Sequence, residues 1–321
     1  MVIVVKLSDG LGNQMFQYAL GRHLAIKSDT ELRVDVSWFN NRNVFGGTDR
    51  TITLDQFNVK FTLASEDDLK RVIGNPTLSS AFKRYGRFFE YAPQYPASYF
   101  NYYREIRDPP NGEATNWAYR RRFCSKFLKI GPDAYLDGYW QTPLYFADIA
   151  DTIRKDFTVT DAPTGENAET ISQVHSTTAV SVHVRRGDQV QQGPDWAEYG
   201  NSLPERYHER AATHIQDRVE NPTFFVFSDD SEWAKNNIDF DYPTEYVTQN
   251  DSSSDYEDIR LMHNCDHHII ANSTFSWWGA WLNDSNNKIV VAPSPWKRFG
   301  YPDGIVEDWD LYPQEWTVLR Y

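Results

Sequence analysis

The sequence predicts an α/β protein made of two Rossmann-like lobes facing a cleft. Three observations carry this. The chain opens on an apolar run, Val2-Ile3-Val4-Val5, that passes through a glycine turn into a helical pattern and then a second strand. After a polar stretch at residues 158–172, the strand-and-helix pattern restarts at Ala179. The 321 residues are too many for one typical domain and suit two. The expected division is residues 1–160 for an N-terminal lobe, 161–300 for a C-terminal lobe, and 301–321 for a segment returning to the first lobe.

Each element has its own signal. The run at residues 2–7 reads as a buried parallel strand. Phe16, Leu20 and Leu24, spaced i, i+4, i+8, give the helix after the turn. Residues 31–38 alternate as the next strand, and residues 135–141 as another, followed by a helix toward Phe157. Residues 40–130 are rich in aromatics, Pro and Arg, and read as short helices and loops. In the second half, strands are expected at residues 179–184, 223–227, 268–270 and 288–292, the last closing the sheet. Helices are expected at residues 204–219, from Ser231, at 255–264 and at 274–282, with residues 158–172 as the linker.

Composition excludes several classes. A net charge of -13 argues against general nucleic-acid binding. No apolar stretch approaches the ~18 residues of a membrane span, and the first apolar run is too short for a signal peptide. Two cysteines, Cys124 and Cys265, imply no disulfide framework and fit a reducing cytoplasm.

Four motifs stand at strand ends, where open α/β sheets bind ligands. The strand Val180–Val184 ends in Arg185-Arg186-Gly187-Asp188, a fixed cationic pair on an acidic protein. Guanidinium forks suit phosphate, although a surface turn with a local Asp partner gives the same residues. Gly10-Leu11-Gly12-Asn13 opens the first helix; the backbone there can approach an anion, but Met15 stands where a dinucleotide fingerprint needs its third glycine. Ser228-Asp229-Asp230 offers carboxylates to a ribose diol or a guanine edge, or caps a helix. Asn272-Ser273-Thr274-Phe275-Ser276 places hydroxyls at a helix start, where they can face a pyrophosphate. Trp277, Trp278 and Trp281 fit core packing better than sugar stacking. His183 suits an orienting role ahead of a base. His263 and His267 have zinc-like spacing, but capping explains them more simply, and no metal site is expected.

Taken together and in order, these four blocks closely resemble the α-1,2-fucosyltransferases of glycosyltransferase family 11. Leu136-Asp137-Gly138-Tyr139-Trp140-Gln141 and residues 265–270 also look like that family. The resemblance implies a GT-B fold, GDP-β-L-fucose as donor, no cofactor or metal, and inversion to an α-fucoside on a galactose-terminated oligosaccharide or glycolipid. By carry-over, Arg185 and Arg186 meet the GDP phosphates, and Asp229 or Asp230 meets guanine or ribose. Asn272, Ser273, Thr274 and Ser276 line the pyrophosphate, while Gly10 and Asn13 border the cleft from the other lobe as further donor-binding residues. His183 and Asp188 are the candidate bases beside Arg185. The absence of an anchor suggests a cytoplasmic enzyme, compatible with a peripheral membrane surface. Gln189 replaces an aromatic common in the family, and residues 189–202 and 82–131 show no close match, which leaves acceptor and regiochemistry open.

Overall fold

The computed structural model describes residues 1–40, 52–73, 102–105, 123–187, 202–298, 305–306 and 310–321. The chain divides into two compact units. The first comprises Met1–Arg50, Val59–Asp156 and Trp309–Leu311; the second comprises Thr51–Asn58, Phe157–Asp308 and Tyr312–Tyr321.

The first unit holds strands β1 (Val2–Lys6), β2 (Glu31–Asp35), β3 (Thr62–Leu63), β4 (Tyr102–Arg104) and β5 (Ala134–Asp137). Helices α1 (Leu11–Lys27), α2 (Ser37–Asn40), α3 (Glu66–Ile73) and α4 (Ala150–Asp156) connect or flank them. The sheet order is β3-β2-β1-β5-β4, with every pairing parallel. Strand β1 is buried at Val2, Ile3, Val4 and Val5, which explains its unbroken apolar run. Residues 31–38, expected as one strand, split into β2 and α2; Asp35 accepts from the Ser37 backbone N–H at 2.8 Å and turns the chain.

The second unit continues with α5 (Gly165–Ser176), β6 (Thr178–Val184), α6 (Glu205–Gln216), β7 (Pro222–Ser228), α7 (Ser231–Asn237) and β8 (Thr244–Val247). It ends with α8 (Asp255–Asn264), β9 (His267–Ile269), α9 (Thr274–Leu282), β10 (Val290–Ser294), β11 (Lys297–Arg298), β12 (Ile305–Val306) and β13 (Thr317–Arg320). The main sheet runs β13-β10-β9-β6-β7-β8, again all parallel. Alternation along its central strands feeds two cores. Val180, Val182, Val184, Phe224 and Val226 pack with Tyr207, Ala211 and Ile215 of α6. Ala179, Phe225 and Phe227 pack on the opposite face with Val174 of α5 and Leu261 and Met262 of α8.

Three expectations need correction. Half of the expected linker is helix α5, whose Ile171 and Val174 pack on the second core. Strand β10 does not close the sheet, because β13 pairs beyond it, with Val291 opposite Thr317. The C-terminal segment returns to the first unit only at Trp309–Leu311, since the β13 pairing keeps Tyr312–Tyr321 with the second.

A polar network joins α5 to the loop before α8. Gln249 donates to Asn167 Oδ1 at 3.0 Å and to Thr170 at 3.1 Å, and Asn250 donates to Asp258 Oδ1 at 2.7 Å. Burial pushes the Asp258 carboxyl up to about 7, and Asp255 and Glu257 add to the rise. The folded form therefore holds a proton that the unfolded chain releases above its ordinary value of 3.8. Stability should fall as pH rises from that value to about 7, and the cost is complete above it. Asp258→Asn keeps an acceptor for Asn250 and removes the charge. It should raise stability at pH 8 by about 1–2 kcal/mol, discounted for partial solvent access, and leave stability at pH 4 unchanged. Thermal melts of both proteins across this range check it; equal slopes with pH would sink the assignment.

Candidate active site

Each sheet has one place where the strand order reverses. In the first it lies between β1 and β5, in the second between β6 and β9. The loops at the carboxyl ends of those strands are where a ligand of an open α/β sheet sits.

In the second unit, β6 delivers Arg185, Arg186 and Gly187 to this edge. The β6–β7 register sets Val184 opposite Ser228, so Asp229 and Asp230 follow directly beside the arginines. Ser228 Oγ donates to the Val184 carbonyl at 2.9 Å and accepts from the Asp230 N–H at 3.0 Å, which stitches the two strand ends. Asp229 Oδ2 lies 2.7 Å from Arg185 Nη1, and its Oδ1 accepts from the Arg186 backbone N–H at 2.7 Å. Asp230 caps α7, accepting from the Trp233 N–H at 3.2 Å, while its Oδ2 faces Arg186 Nε at 3.4 Å. The Arg186 guanidinium stacks over the Trp233 ring at 3.7 Å.

On the other side of β6, β9 leads through buried Ile270, Ala271 and Asn272 to α9. Ser273 is the helix N-cap, its hydroxyl accepting from Phe275 N–H at 3.4 Å, and Thr274 opens the first turn half-buried. Ser276 departs from expectation. It is buried, accepts from the Ala271 N–H at 3.2 Å and reaches the Ser273 carbonyl at 3.3 Å, so it braces the loop from inside. The aromatic run turns inward too: Trp277 and Trp278 are fully buried and Trp281 nearly so.

His183 links the two sides. Its ring lies 5.6 Å from that of Phe275 in the first turn of α9. Burial first, then Arg185 and His208, hold its pKa down to about 3. His208 of α6 is equally buried, and its ring faces the backbone of His183 and Pro204. A neutral imidazole of such low basicity is a weak proton acceptor and a good rigid spacer. Asp188 lies outside the described residues.

The other histidines have structural partners. His268 Nε2 faces Asn283 Nδ2 at 3.0 Å and its Nδ1 faces Ser181 Oγ at 2.8 Å; the amide must donate, so Nδ1 carries the proton. His267 Nδ1 accepts from the Ile289 N–H at 3.0 Å, and His263 Nε2 meets the Asn264 amide at 3.2 Å. Each of these two rings thus has a nitrogen engaged in a local bond.

In the first unit, Gly10 is the extended N-cap of α1, and Asn13 Oδ1 accepts from Gln141 Nε2 at 2.6 Å. Two residues not singled out from sequence shape this edge. Gln17 accepts from the Ser8 N–H at 2.9 Å and donates to the Gly138 carbonyl at 3.1 Å, binding the β1 and β5 loops together. Glu105 is buried, and its Oε2 accepts from the N–H groups of Tyr139 at 2.7 Å and Trp140 at 3.1 Å. Gly138 permits this, since a Cβ there would lie 2.5 Å from Glu105 Cβ. The Tyr139 hydroxyl in turn donates to Asp9. A polar residue buried in an apolar helix face, as Gln14 and Gln17 are, was the available signal.

Comparison with known proteins adds a family to this geometry. The profile of glycosyl transferase family 11 matches residues 113–320. The chain is 30% identical to an Escherichia coli alpha-1,2-colitosyltransferase, over 99% of each chain. It is 32% identical to the E. coli O-antigen biosynthesis glycosyltransferase WbnK, over 90% of this chain and 93% of that one. Human galactoside alpha-(1,2)-fucosyltransferase 1 is 30% identical over 47% of this chain and 43% of its own. Among solved structures, a mutant of Arabidopsis thaliana FUT1 in complex with GDP matches with a TM-score of 0.51 at 13% identity, covering 97% of this chain and 74% of that one. The shared architecture is of the GT-B type.

Proposed function

The chain belongs to glycosyl transferase family 11, and from that premise we propose that it transfers L-fucose from GDP-β-L-fucose to the 2-hydroxyl of a terminal galactoside, with inversion to the α-linkage. The observation that carries this reading is the pair of fixed guanidiniums at the reversal point of the second sheet, beside the hydroxyl-bearing start of α9.

Transfer breaks the bond from sugar C1 to the GDP oxygen, so negative charge grows on the departing diphosphate. Arg185 and Arg186 answer that charge, with Asn272, Ser273 and Thr274 beside it. Donors aimed at charge that develops in the transition state are the largest single catalytic term in most enzymes. The arginines take the place of a metal, so transfer should persist in EDTA. Asp188 is the better candidate to take the acceptor proton, because His183 is too weakly basic; base assistance is worth about 10²–10⁴. The second unit holds the donor, and the acceptor is a galactose-terminated soluble glycan or membrane-borne glycolipid.

One observation favours a second donor. The full-length relative named for colitose transfer points to the 3-deoxy analogue of fucose as the transferred sugar. A screen of GDP-fucose and GDP-colitose against lactose, N-acetyllactosamine and galactosyl-N-acetylgalactosamine, with the linkage read by NMR, separates the two. A 2-linked α-fucoside is the expected product. Turnover with GDP-colitose alone would replace the donor, and a linkage other than 1,2 would overturn the regiochemistry.

A further inference from the structure

We propose that Asp229 is a positioning residue that sets Arg185 and Arg186 for the donor diphosphate, and is not the reader of guanine or ribose that its place at a strand end suggests. The proposal rests on the nucleotide-sugar reading of this sheet edge. Both carboxylate oxygens are committed to the arginine turn. Oδ2 meets Arg185 Nη1 and Oδ1 meets the Arg186 N–H, each at 2.7 Å. One oxygen thus orients a guanidinium while the other fixes the backbone that carries the next one.

The turn is built to admit this carboxylate. A Cβ on Gly187 would lie 2.7 Å from Asp229 Oδ2 and 3.1 Å from its Cγ. Glycine leaves the room in which the carboxylate sits against the loop. The Ser228 hydroxyl, bonded to both the Val184 carbonyl and the Asp230 N–H, holds β7 in the register that delivers Asp229 there.

Charge arithmetic separates positioning from affinity. A carboxylate paired with the Arg185 guanidinium offsets part of the positive charge that would attract a diphosphate. For ground-state binding alone, Asp229 is a liability. Its benefit must lie in holding the forks where charge develops, which raises turnover and not affinity.

That gives a signature a merely structural residue would not produce. In Asp229→Asn the amide oxygen can still accept from the Arg186 N–H, but the countercharge is gone. GDP, measured by calorimetry on the full chain, should bind about three- to tenfold more tightly. The turnover number of transfer should fall about 10–100-fold, with no rise in the donor KM. Gly187→Ala leaves every charge in place and displaces the carboxylate, so it should reproduce the fall in turnover. In an Arg185→Ala background, Asp229→Asn should no longer tighten GDP binding.

Weaker GDP binding in Asp229→Asn, in step with its turnover, would show that Asp229 touches the nucleotide and would overturn the proposal. So would unchanged turnover in both variants. If the wild-type chain used neither GDP-fucose nor GDP-colitose, the donor reading would fall by itself. The proposal would then be decided by GDP calorimetry, where equal effects of Asp229→Asn with and without Arg185 would refute it.

Discussion

Arg185→Ala is expected to lose sugar transfer and donor hydrolysis together, by about 10²–10³ in turnover number. Both reactions share the departure of GDP and differ only in what attacks the sugar. A residue that serves the leaving group must therefore affect both alike, while one that serves the acceptor affects transfer alone. The side chain projects from the end of β6 and keeps 20% exposure, so its removal opens no core cavity. Stability should stay within about 1 kcal/mol of the wild type. Arg185→Lys should recover little, because an ammonium cannot span two phosphate oxygens as a fork does. Steady-state kinetics of both reactions on the three proteins test this. Near-normal turnover in Arg185→Ala would remove the leaving-group role.

The parts of the molecule legible in the sequence were those whose signal is local. Strands β1, β6 and β7 are buried on both faces, so they read as apolar runs, broken in β6 only by the buried Ser181 and His183. The strand-end motifs were legible because arginine, hydroxyl and glycine clusters are uncommon directly after such runs. Strands β8 and β13 were not, since β8 is the edge of its sheet and β13 alternates half-buried and exposed residues, leaving weak patterns. Helix α5 buries fully only Val174, so its polar face looked like a linker. The same division runs through the site. That Ser228-Asp229-Asp230 matters could be read; that Asp229 faces two arginines could not, because it depends on the pairing of β6 with β7 across more than forty residues. The partners of Ser276 were out of reach for the same reason. Its composition suits a pyrophosphate, but the first turn of α9 aims it at the Ala271 N–H.

Trp278→Ala should unfold the second unit at far milder conditions than the wild type, with a loss of about 3–5 kcal/mol. The indole is fully buried. Its ring centroid lies 5.0 Å from Phe157, 5.0 Å from Trp277 and 5.4 Å from Trp281. Phe157 in turn packs edge-on to Phe57 at 5.8 Å, so the indole anchors α9 to the segment that brings the chain into this unit. Three tryptophans within five residues of helix could instead have formed a platform for sugar rings, and the two roles predict opposite outcomes. A stacking platform must present a ring face to the ligand, so its loss raises the acceptor KM and leaves stability nearly unchanged. A core residue does the reverse, because the cavity destabilises the fold while the folded fraction keeps its acceptor affinity. Denaturant unfolding followed by the remaining tryptophan fluorescence, beside acceptor KM measured well below the unfolding midpoint, distinguishes them. The core role also has a consequence for the site. Helix α9 carries Ser273 and Thr274 at its start, so loosening its buried face should weaken GDP binding modestly before the unit unfolds. An unchanged midpoint with a raised acceptor KM would place the tryptophans in the binding surface instead.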